Sequence, residues 1–271
     1  PHHTITHIPE PKGKKEKSLY AFILGLWSAD GFINITQGKH NERVYRCGVD
    51  IDDPSVVHIF QKIFEILGWP LRFRRENRQG CLRLYFYSKA LVELIMRNIP
   101  IGQKTLTNPK VPLWIAKNEY YIKHWILGVI TGDGRVEQKR GKRIEWKRTI
   151  AQECEKEIVL YILSHPKTRF NKLTKGYNLE GRWLGSFQER LKVPKYFKQE
   201  TRWLRKHKIQ VTIDNRVNYY PKTRRMTVTW TISVRSNDAK KLAQMILPDN
   251  NDVPWRECTK IRKIMELATQ K

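Results

Sequence analysis

Long hydrophobic runs and paired cysteines are absent from this 271-residue sequence. It has no stretch of about 18 or more uncharged apolar residues, and no signal-peptide pattern follows Pro1, so we expect neither a membrane-spanning nor a secreted protein. Cys47, Cys81, Cys154 and Cys258 lack C-x-x-C or zinc-like spacing, which favours reduced thiols over disulfides or metal ligands. We therefore expect an intracellular protein, located in a prokaryotic cytoplasm or nucleoid or in an organelle matrix.

Acidic residues are also scarce relative to basic ones. The 52 Lys and Arg residues against 26 Asp and Glu residues give a formal net charge of +26. Such a charge repels itself in a compact protein, which indicates a polyanionic partner. Apolar residues make up 40% of the sequence and aromatic residues 11%, which is enough for a hydrophobic core. The composition thus predicts a folded protein that binds a polyanion.

The sequence contains an internal repeat. Residues 20–34 and 121–136 both place a glycine, four apolar or small residues and then Asp-Gly, so Asp30 and Asp133 are equivalent positions. A helix-like segment follows each acid at a matching distance. The repeat predicts an N-terminal arm over residues 1–17, a first unit over 18–117 and a second unit over 118–271.

Hydrophobic periodicity predicts the elements of each unit. Residues 20–29 are apolar on all sides, which is typical of a buried helix, and Gly31 is expected to end it in a left-handed conformation. Residues after the acids alternate with period two, most clearly over 225–235, which predicts strands with one apolar and one polar, basic face. Each unit is expected to run helix, two strands, helix, two strands, helix, and the fold class is α+β.

The second copy carries an insertion, residues 165–208, that has no counterpart in the first. Residues 165–208 hold 13 basic residues and three acidic ones. Trp183, Phe187, Tyr196, Phe197 and Trp203 lie within it, which predicts a small folded subdomain with a core of its own.

The two segments ILGLWSADG (residues 23–31) and ILGVITGDG (residues 126–134) resemble the LAGLIDADG motif of homing endonucleases in its two-copy, single-chain form. Both copies depart from the motif at its first acid, which is Ser28 and Thr131 here, and keep the second. The resemblance implies two pseudo-symmetric αββαββα units that form a saddle of two antiparallel sheets, in a monomer encoded by an intron or another mobile element. It also implies site-specific cleavage of both strands of a long DNA target.

Small residues four positions apart on each motif helix predict that the two helices pack backbone against backbone. This packing would bring Asp30 and Asp133 together, where their carboxylates repel unless a cation lies between them. Mg²⁺ suits such a site because it binds a few carboxylate oxygens together with water and phosphate oxygens. Two or more Mg²⁺ ions are expected to support phosphodiester hydrolysis. The expected metal site comprises Asp30, Asp133 and the residues that precede them, Ala29 and Gly132.

The resemblance also suggests further site residues. Residues 102–105 are similar to the G-x-K-S/T segment that precedes the second motif in intein-type members, which makes Lys104 the candidate catalytic lysine. Its counterpart in the second copy stays open among Arg256, Lys260 and Arg262. Gln37 and Gln138, which follow the two acids, are candidate polar residues of the site.

The polar strand faces are expected to follow the major groove of double-stranded DNA, while the remaining cations contact phosphates. Residues 118–271 carry 34 basic and 16 acidic residues, against 18 and 10 before them, which favours an asymmetric target. An intron RNA maturase and a non-cleaving DNA-binding regulator of the same fold are the alternatives. The candidate DNA-contacting residues are Asn34, Thr36, Arg72, Arg74, Arg83, Tyr85, Lys147, Gln210, Thr212, Arg225 and Arg235.

Overall fold

The computed structural model describes residues 7–38, 41–70, 72–78, 80–100, 104–138 and 141–270. Two units follow one another, each beginning with a long helix that ends at one of the two repeated acids. Two short helices, α4 (Lys104–Thr107) and α5 (Leu113–Ala116), connect the units. The first unit consists of α1 (Lys14–Asp30), β1 (Gly31–Gln37), β2 (Arg43–Ile51), α2 (Val56–Ile66), β3 (Arg74–Arg78), β4 (Cys81–Tyr87) and α3 (Lys89–Met96).

The second unit repeats this order and adds the insertion between its middle helix and its second pair of strands. The predicted fold class is therefore confirmed. The unit consists of α6 (Glu119–Asp133), β5 (Arg135–Glu137), β6 (Arg143–Gln152), α7 (Lys156–Ser164), β7 (Arg169–Asn171), β8 (Gly176–Glu180), α8 (Lys195–Lys206), β9 (Thr212–Tyr220), β10 (Arg225–Arg235), α9 (Ser236–Met245) and α10 (Thr259–Thr269).

Each unit has one antiparallel sheet. The first sheet has four strands in the order β1-β2-β4-β3, and the second has six in the order β5-β6-β10-β9-β8-β7. The alternation over residues 225–235 is observed as predicted: Met226, Val228 and Ile232 are buried, while Thr227 and Thr229 point to the polar face. The two strands that the insertion contributes lie at the outer edge of the second sheet.

The helices α1 and α6 pack at the centre of the molecule at backbone distance. A Cβ atom added to Gly25 would lie 2.1 Å from the carbonyl oxygen of Trp125, and one added to Gly128 would lie 2.1 Å from that of Phe22. Trp125 precedes Gly128 by three residues, as Phe22 precedes Gly25, so the contact is reciprocal about an approximate two-fold axis. Only glycine permits this approach, which places the C-terminal ends of α1 and α6 side by side.

The predicted left-handed ending of α1 is wrong. Gly31 has φ −76° and ψ 153°, and Gly134 after α6 has φ −88° and ψ 162°, so both are extended and lead straight into a strand. Glycine is required here for space: a Cβ atom on Gly31 would lie 2.1 Å from Cδ1 of Trp27, and one on Gly134 would lie 2.3 Å from the carbonyl oxygen of Ile130.

The insertion also differs from the expected subdomain, because it shares its core with the rest of the second unit. Tyr196, Phe197 and Leu204 of α8 are buried in the main core, which includes α1 and α6. Leu179 and Leu184 join a second cluster with residues of β6, β9, β10 and α7. The described part of the chain contains no helix long and apolar enough to cross a membrane.

Candidate functional site

The acids that end α1 and α6 lie at adjoining helix ends. The Oδ2 atom of Asp30 lies 2.7 Å from the position that a Cβ atom on Gly132 would occupy, next to Asp133. Ser28 and Thr131, at the first-acid positions of the motif, are buried and donate hydrogen bonds to the carbonyls of Gly25 (2.6 Å) and Leu127 (2.8 Å). These hydroxyls are used within the helices, so the second acid of each motif carries the charge of the site.

A cleft of about 180 Å³ opens beside these helix ends. At roughly 30 Å³ per water molecule, it holds a few waters or a phosphate group. Lys147 and Thr149, both exposed, project from β6 into the cleft, and Thr105 of α4 also lines it. The lining residues are Ser28, Ala29, Thr105, Asn108, Pro109, Asp133, Lys147, Arg148, Thr149, Pro194 and Tyr196.

Arg148 borders the cleft from the core. It is 4% exposed and forms an ion pair with Glu200 of α8, which is fully buried. Glu200 also accepts hydrogen bonds from Nε1 of Trp125 (3.1 Å) and Nε1 of Trp146 (2.9 Å). Burial alone would lower the pKa of the Arg148 guanidinium, but Glu200, with a further contribution from Asp133, raises it above its ordinary value. The structure thus holds a permanent cation beside Asp133.

Lys260 belongs to α10, and its side chain contacts the C-terminal end of α6. Its Nζ donates hydrogen bonds to the carbonyls of Thr131 (3.0 Å) and Gly132, which have no amide partner at a helix C-terminus. Of the three second-copy candidates, Lys260 is the one for which the structure shows a contact with the motif. Lys260 therefore binds the carbonyl oxygen of Gly132, and that oxygen is the only atom of Gly132 that could bind a metal.

The donor set fits a hard divalent cation with few protein ligands. Asp30 and Asp133 supply carboxylates, and the described residues include no group of three or more His, Cys, Asp or Glu side chains placed to hold a metal. Mg²⁺ commonly binds through one or two carboxylates and completes its shell with water and substrate phosphates. The Oη atom of Tyr196, which borders the cleft, is buried and has no hydrogen-bond partner among the described residues.

The other predicted site residues differ in how close they lie to the two acids. The backbone of Lys104 begins α4, and its neighbour Thr105 lines the cleft, but the side chain of Lys104 lies outside the described residues. Gln37 ends β1, about 23 Å along the strand from Asp30, and its Nε2 donates to Oδ1 of Asn41 at 3.0 Å. The Nε2 of Gln138 donates to the carbonyl of Lys263 and to Glu266, so this side chain binds α10. The structure does not bring either glutamine to the acids.

The polar face of the first sheet carries five of the predicted DNA-contacting residues: Asn34, Thr36, Arg74, Arg83 and Tyr85. Arg72 is exposed in the loop before β3.

Sequence reasoning missed Arg46 on this face. It pairs across the sheet with Asn34 and stacks over the rings of Phe32 (5.6 Å) and Tyr85 (5.5 Å). The strand alternation over residues 43–51 could have revealed it. Arg83 is held by Asp50, with Nε–Oδ1 and Nη2–Oδ2 distances of 2.6 Å, which also raises its pKa.

The polar face of the second sheet begins at the acids and continues outward. Lys147, Thr212, Arg225 and Arg235 lie on it, and Gln210 is exposed just before β9. Asp133 and Lys147 line one open depression together with residues of the next strands, so this face is continuous with the cleft. Further members of the face that the sequence reading did not single out are Arg143, Thr149, Arg216, Asn218, Thr229 and Thr231.

No protein-family model matches the chain, and no curated protein sequence does. Solved structures match it. A variant of I-DmoI in complex with its target DNA in the presence of Mn has a TM-score of 0.50 at 13% identity, with 89% of this chain and 98% of that chain covered. Another I-DmoI variant with target DNA in the presence of Mg has a TM-score of 0.50 at 13% identity, covering 88% and 100%. The N-terminal LAGLIDADG domain of WhiA has a TM-score of 0.44 at 7% identity, covering 96% and 100%.

I-DmoI is a homing endonuclease, and its likeness to this chain extends over both units. The LAGLIDADG resemblance that the sequence predicts is therefore confirmed at the level of the fold.

Proposed function

We propose that this protein is a divalent-metal-dependent endonuclease that cleaves both strands of duplex DNA at a long, asymmetric site. One observation carries the proposal: Asp30 and Asp133 end two helices that touch at Gly25 and Gly128, and each acid leads directly into the first strand of a sheet with a polar, basic face. Two carboxylates at the junction of two basic surfaces suit a metal-assisted reaction on a polyanion. Both come from one chain, so the protein is expected to act as a monomer.

Different residues of the site are proposed to bind the metal, to contact the phosphate and to position the helix ends. Asp30 and Asp133 would hold the cations, and when bound a divalent ion supplies Lewis-acid activation of water and of the scissile phosphate. Lys147, exposed in the cleft beside Asp133, is placed to neutralise a non-bridging phosphate oxygen. Arg148 and Lys260 contact the carbonyls of Ser28 and Gly132 and orient the two helix ends. I-DmoI structures contain target DNA with Mn or Mg, which supports this assignment.

A non-cleaving DNA-binding protein is the second candidate. This candidate is favoured by the hydrogen bond from Lys260 to the carbonyl of Gly132. The ammonium group binds the carbonyl oxygen that was expected to help bind the metal. In that case the basic sheets bind DNA, and the two acids have no catalytic role.

The test is selection followed by cleavage. Duplexes that bind the wild-type protein are selected from a randomised library in EDTA, cloned into a plasmid and incubated with the protein and Mg²⁺. We expect linearised plasmid with wild type, none in EDTA, and none with Asp30→Asn or Asp133→Asn, although both variants still bind. Tight, specific binding without any cleavage would favour the second candidate. Preferential binding to a structured intron RNA would favour a maturase.

A further inference from the structure

The insertion lengthens the second sheet at the edge that lies farthest from the acids. β5 begins two residues after Asp133, whereas β7 lies at the opposite edge, five strand spacings away. At about 4.8 Å per spacing, this sheet reaches about 24 Å from its first strand. The first sheet has three spacings, or about 14 Å. The two units are therefore unequal in reach by about 10 Å.

The added strands present their polar side chains on the same face as Lys147. The register pairs Arg216 of β9 with Glu180 of β8, and Asn178 of β8 with Arg169 of β7, so these side chains lie on one face of the sheet. The surface is also continuous. Glu180, Arg182 and Arg216 line both the depression that contains Asp133 and the outer depression that contains Lys167 and Arg169.

This outer surface is strongly basic. Residues 167–182 contain five Lys or Arg residues and one acid, Glu180, which pairs with Arg182 at 2.5 Å. The cations are exposed, and those at 172 and 175 lie in the turn between β7 and β8. An exposed, basic extension of a sheet suits the phosphate backbone of a duplex.

We infer that the hairpin formed by β7 and β8 binds phosphates of the DNA half-site that the second unit contacts, which adds contacts that the first unit lacks. The inference rests on the proposed DNA binding. It makes the hairpin the source of much of the asymmetry of the target.

The experiment compares footprints of full-length proteins on a duplex selected by the wild type. The hairpin variant combines Lys167→Ala, Arg169→Ala and Lys172→Ala, whose side chains are exposed and leave the buried core untouched. We expect its hydroxyl-radical footprint to lose protection in one half-site only, because only the second unit carries the hairpin. The magnitude of the salt slope, d log K/d log[salt], should also fall by about 2 to 3, because each phosphate contact contributes about −0.9 to the slope.

A matched control removes three exposed cations near the opposite end of α6. Trp203, Lys206 and His207 contact Glu119, in the first turn of α6, about 21 Å along the helix from Asp133. The control variant, which should leave footprint and slope unchanged, combines Lys117→Ala, Arg202→Ala and Arg205→Ala.

The outcomes separate the inference from the proposed function. If the wild type binds and cleaves the duplex and the hairpin variant has the same footprint and slope, the inference is wrong and the proposed function stands. If the wild type selects no duplex, both fail. Equal losses in the hairpin and control variants would show a general charge effect and would also overturn the inference.

Discussion

Arg148 and Glu200 form an ion pair in the interior of the protein, although one lies on a strand of the repeated unit and the other on a helix of the insertion. Each oxygen of Glu200 accepts two hydrogen bonds, one from Arg148 and one from the indole of Trp125 or Trp146. Nη1 of Arg148 reaches the carbonyl of Ser28 at 3.5 Å. A residue of the insertion, Glu200, therefore holds Arg148 in contact with the helix end that carries Asp30.

Removal of the buried carboxylate is expected to destabilise the protein strongly. Glu200→Gln leaves the guanidinium of Arg148 without its counter-charge, and the amide nitrogen would face an N–H donor. We expect a loss of about 3–5 kcal/mol in the free energy of unfolding, measured by urea denaturation. Glu189→Gln, at an exposed position of the same insertion, is the control and should change stability by less than about 0.5 kcal/mol. Equal stability of the two variants would contradict the buried network.

The contact between the central helices predicts a severe effect for a single methyl group. In Gly25→Ala the new Cβ atom would lie 2.1 Å from the carbonyl oxygen of Trp125, so α1 and α6 must separate. We expect a loss of about 1–3 kcal/mol or more, together with reduced cleavage because Asp30 and Asp133 move apart. The control is Gly13→Ala, whose nearest contact is 4.0 Å away and which should lose no more than about 1 kcal/mol. Thermal unfolding and cleavage rates measure both.

Lys260 is expected to act on the site more than on stability. Lys260→Met removes the hydrogen bonds to the carbonyls of Thr131 and Gly132, which frees the end of α6 that carries Asp133. We expect cleavage of the selected duplex to slow by at least about 10-fold while the free energy of unfolding falls by about 1–2 kcal/mol. Arg262→Met, at an exposed position of the same helix, should leave the rate unchanged. A wild-type rate in Lys260→Met would show that Lys260 only caps the helix.

The lowered pKa of Glu119 predicts that the free energy of unfolding decreases at acidic pH. Burial would raise the pKa of its carboxyl, but hydrogen bonds from Lys206, His207 and Trp203 outweigh this and lower the pKa to about 2. The folded-state pKa lies below the unfolded value of about 4.3, so the stabilisation is present above about pH 4.3 and is lost as the pH falls towards 2. Because the carboxylate is half exposed, we expect an effect on the order of 1 kcal/mol.

The measurement is urea denaturation of wild type and Glu119→Gln at several pH values. Above about pH 4.3 the variant should be less stable by about that amount, and the difference should shrink below it. Glu189→Gln, which removes an exposed acid with no ion-pair partner in the described part of the chain, is the control. A difference that does not change with pH would contradict the origin assigned to it.

Much of the fold was readable from local pattern. The duplicated Gly-x₄-Asp-Gly arrangement predicts that Asp30 and Asp133 end two equivalent helices, and the structure has them so. Strict alternation over residues 225–235 predicts which side chains face the core. These features depend on neighbours within a few residues, because backbone periodicity and the space available to glycine act over that range.

The sequence by itself therefore determined the repeat, the two acids and the basic strand faces. Only the tertiary structure decided that the insertion joins the second sheet, that Lys260 and not Arg256 or Arg262 contacts the motif, and that Arg148 is paired inside the core. The alternation of β6 puts Arg148 on its apolar side, but its partner, Glu200, lies 52 residues away. A buried charge is stabilised by whatever chain packing brings to it, and no local pattern encodes that long-range contact.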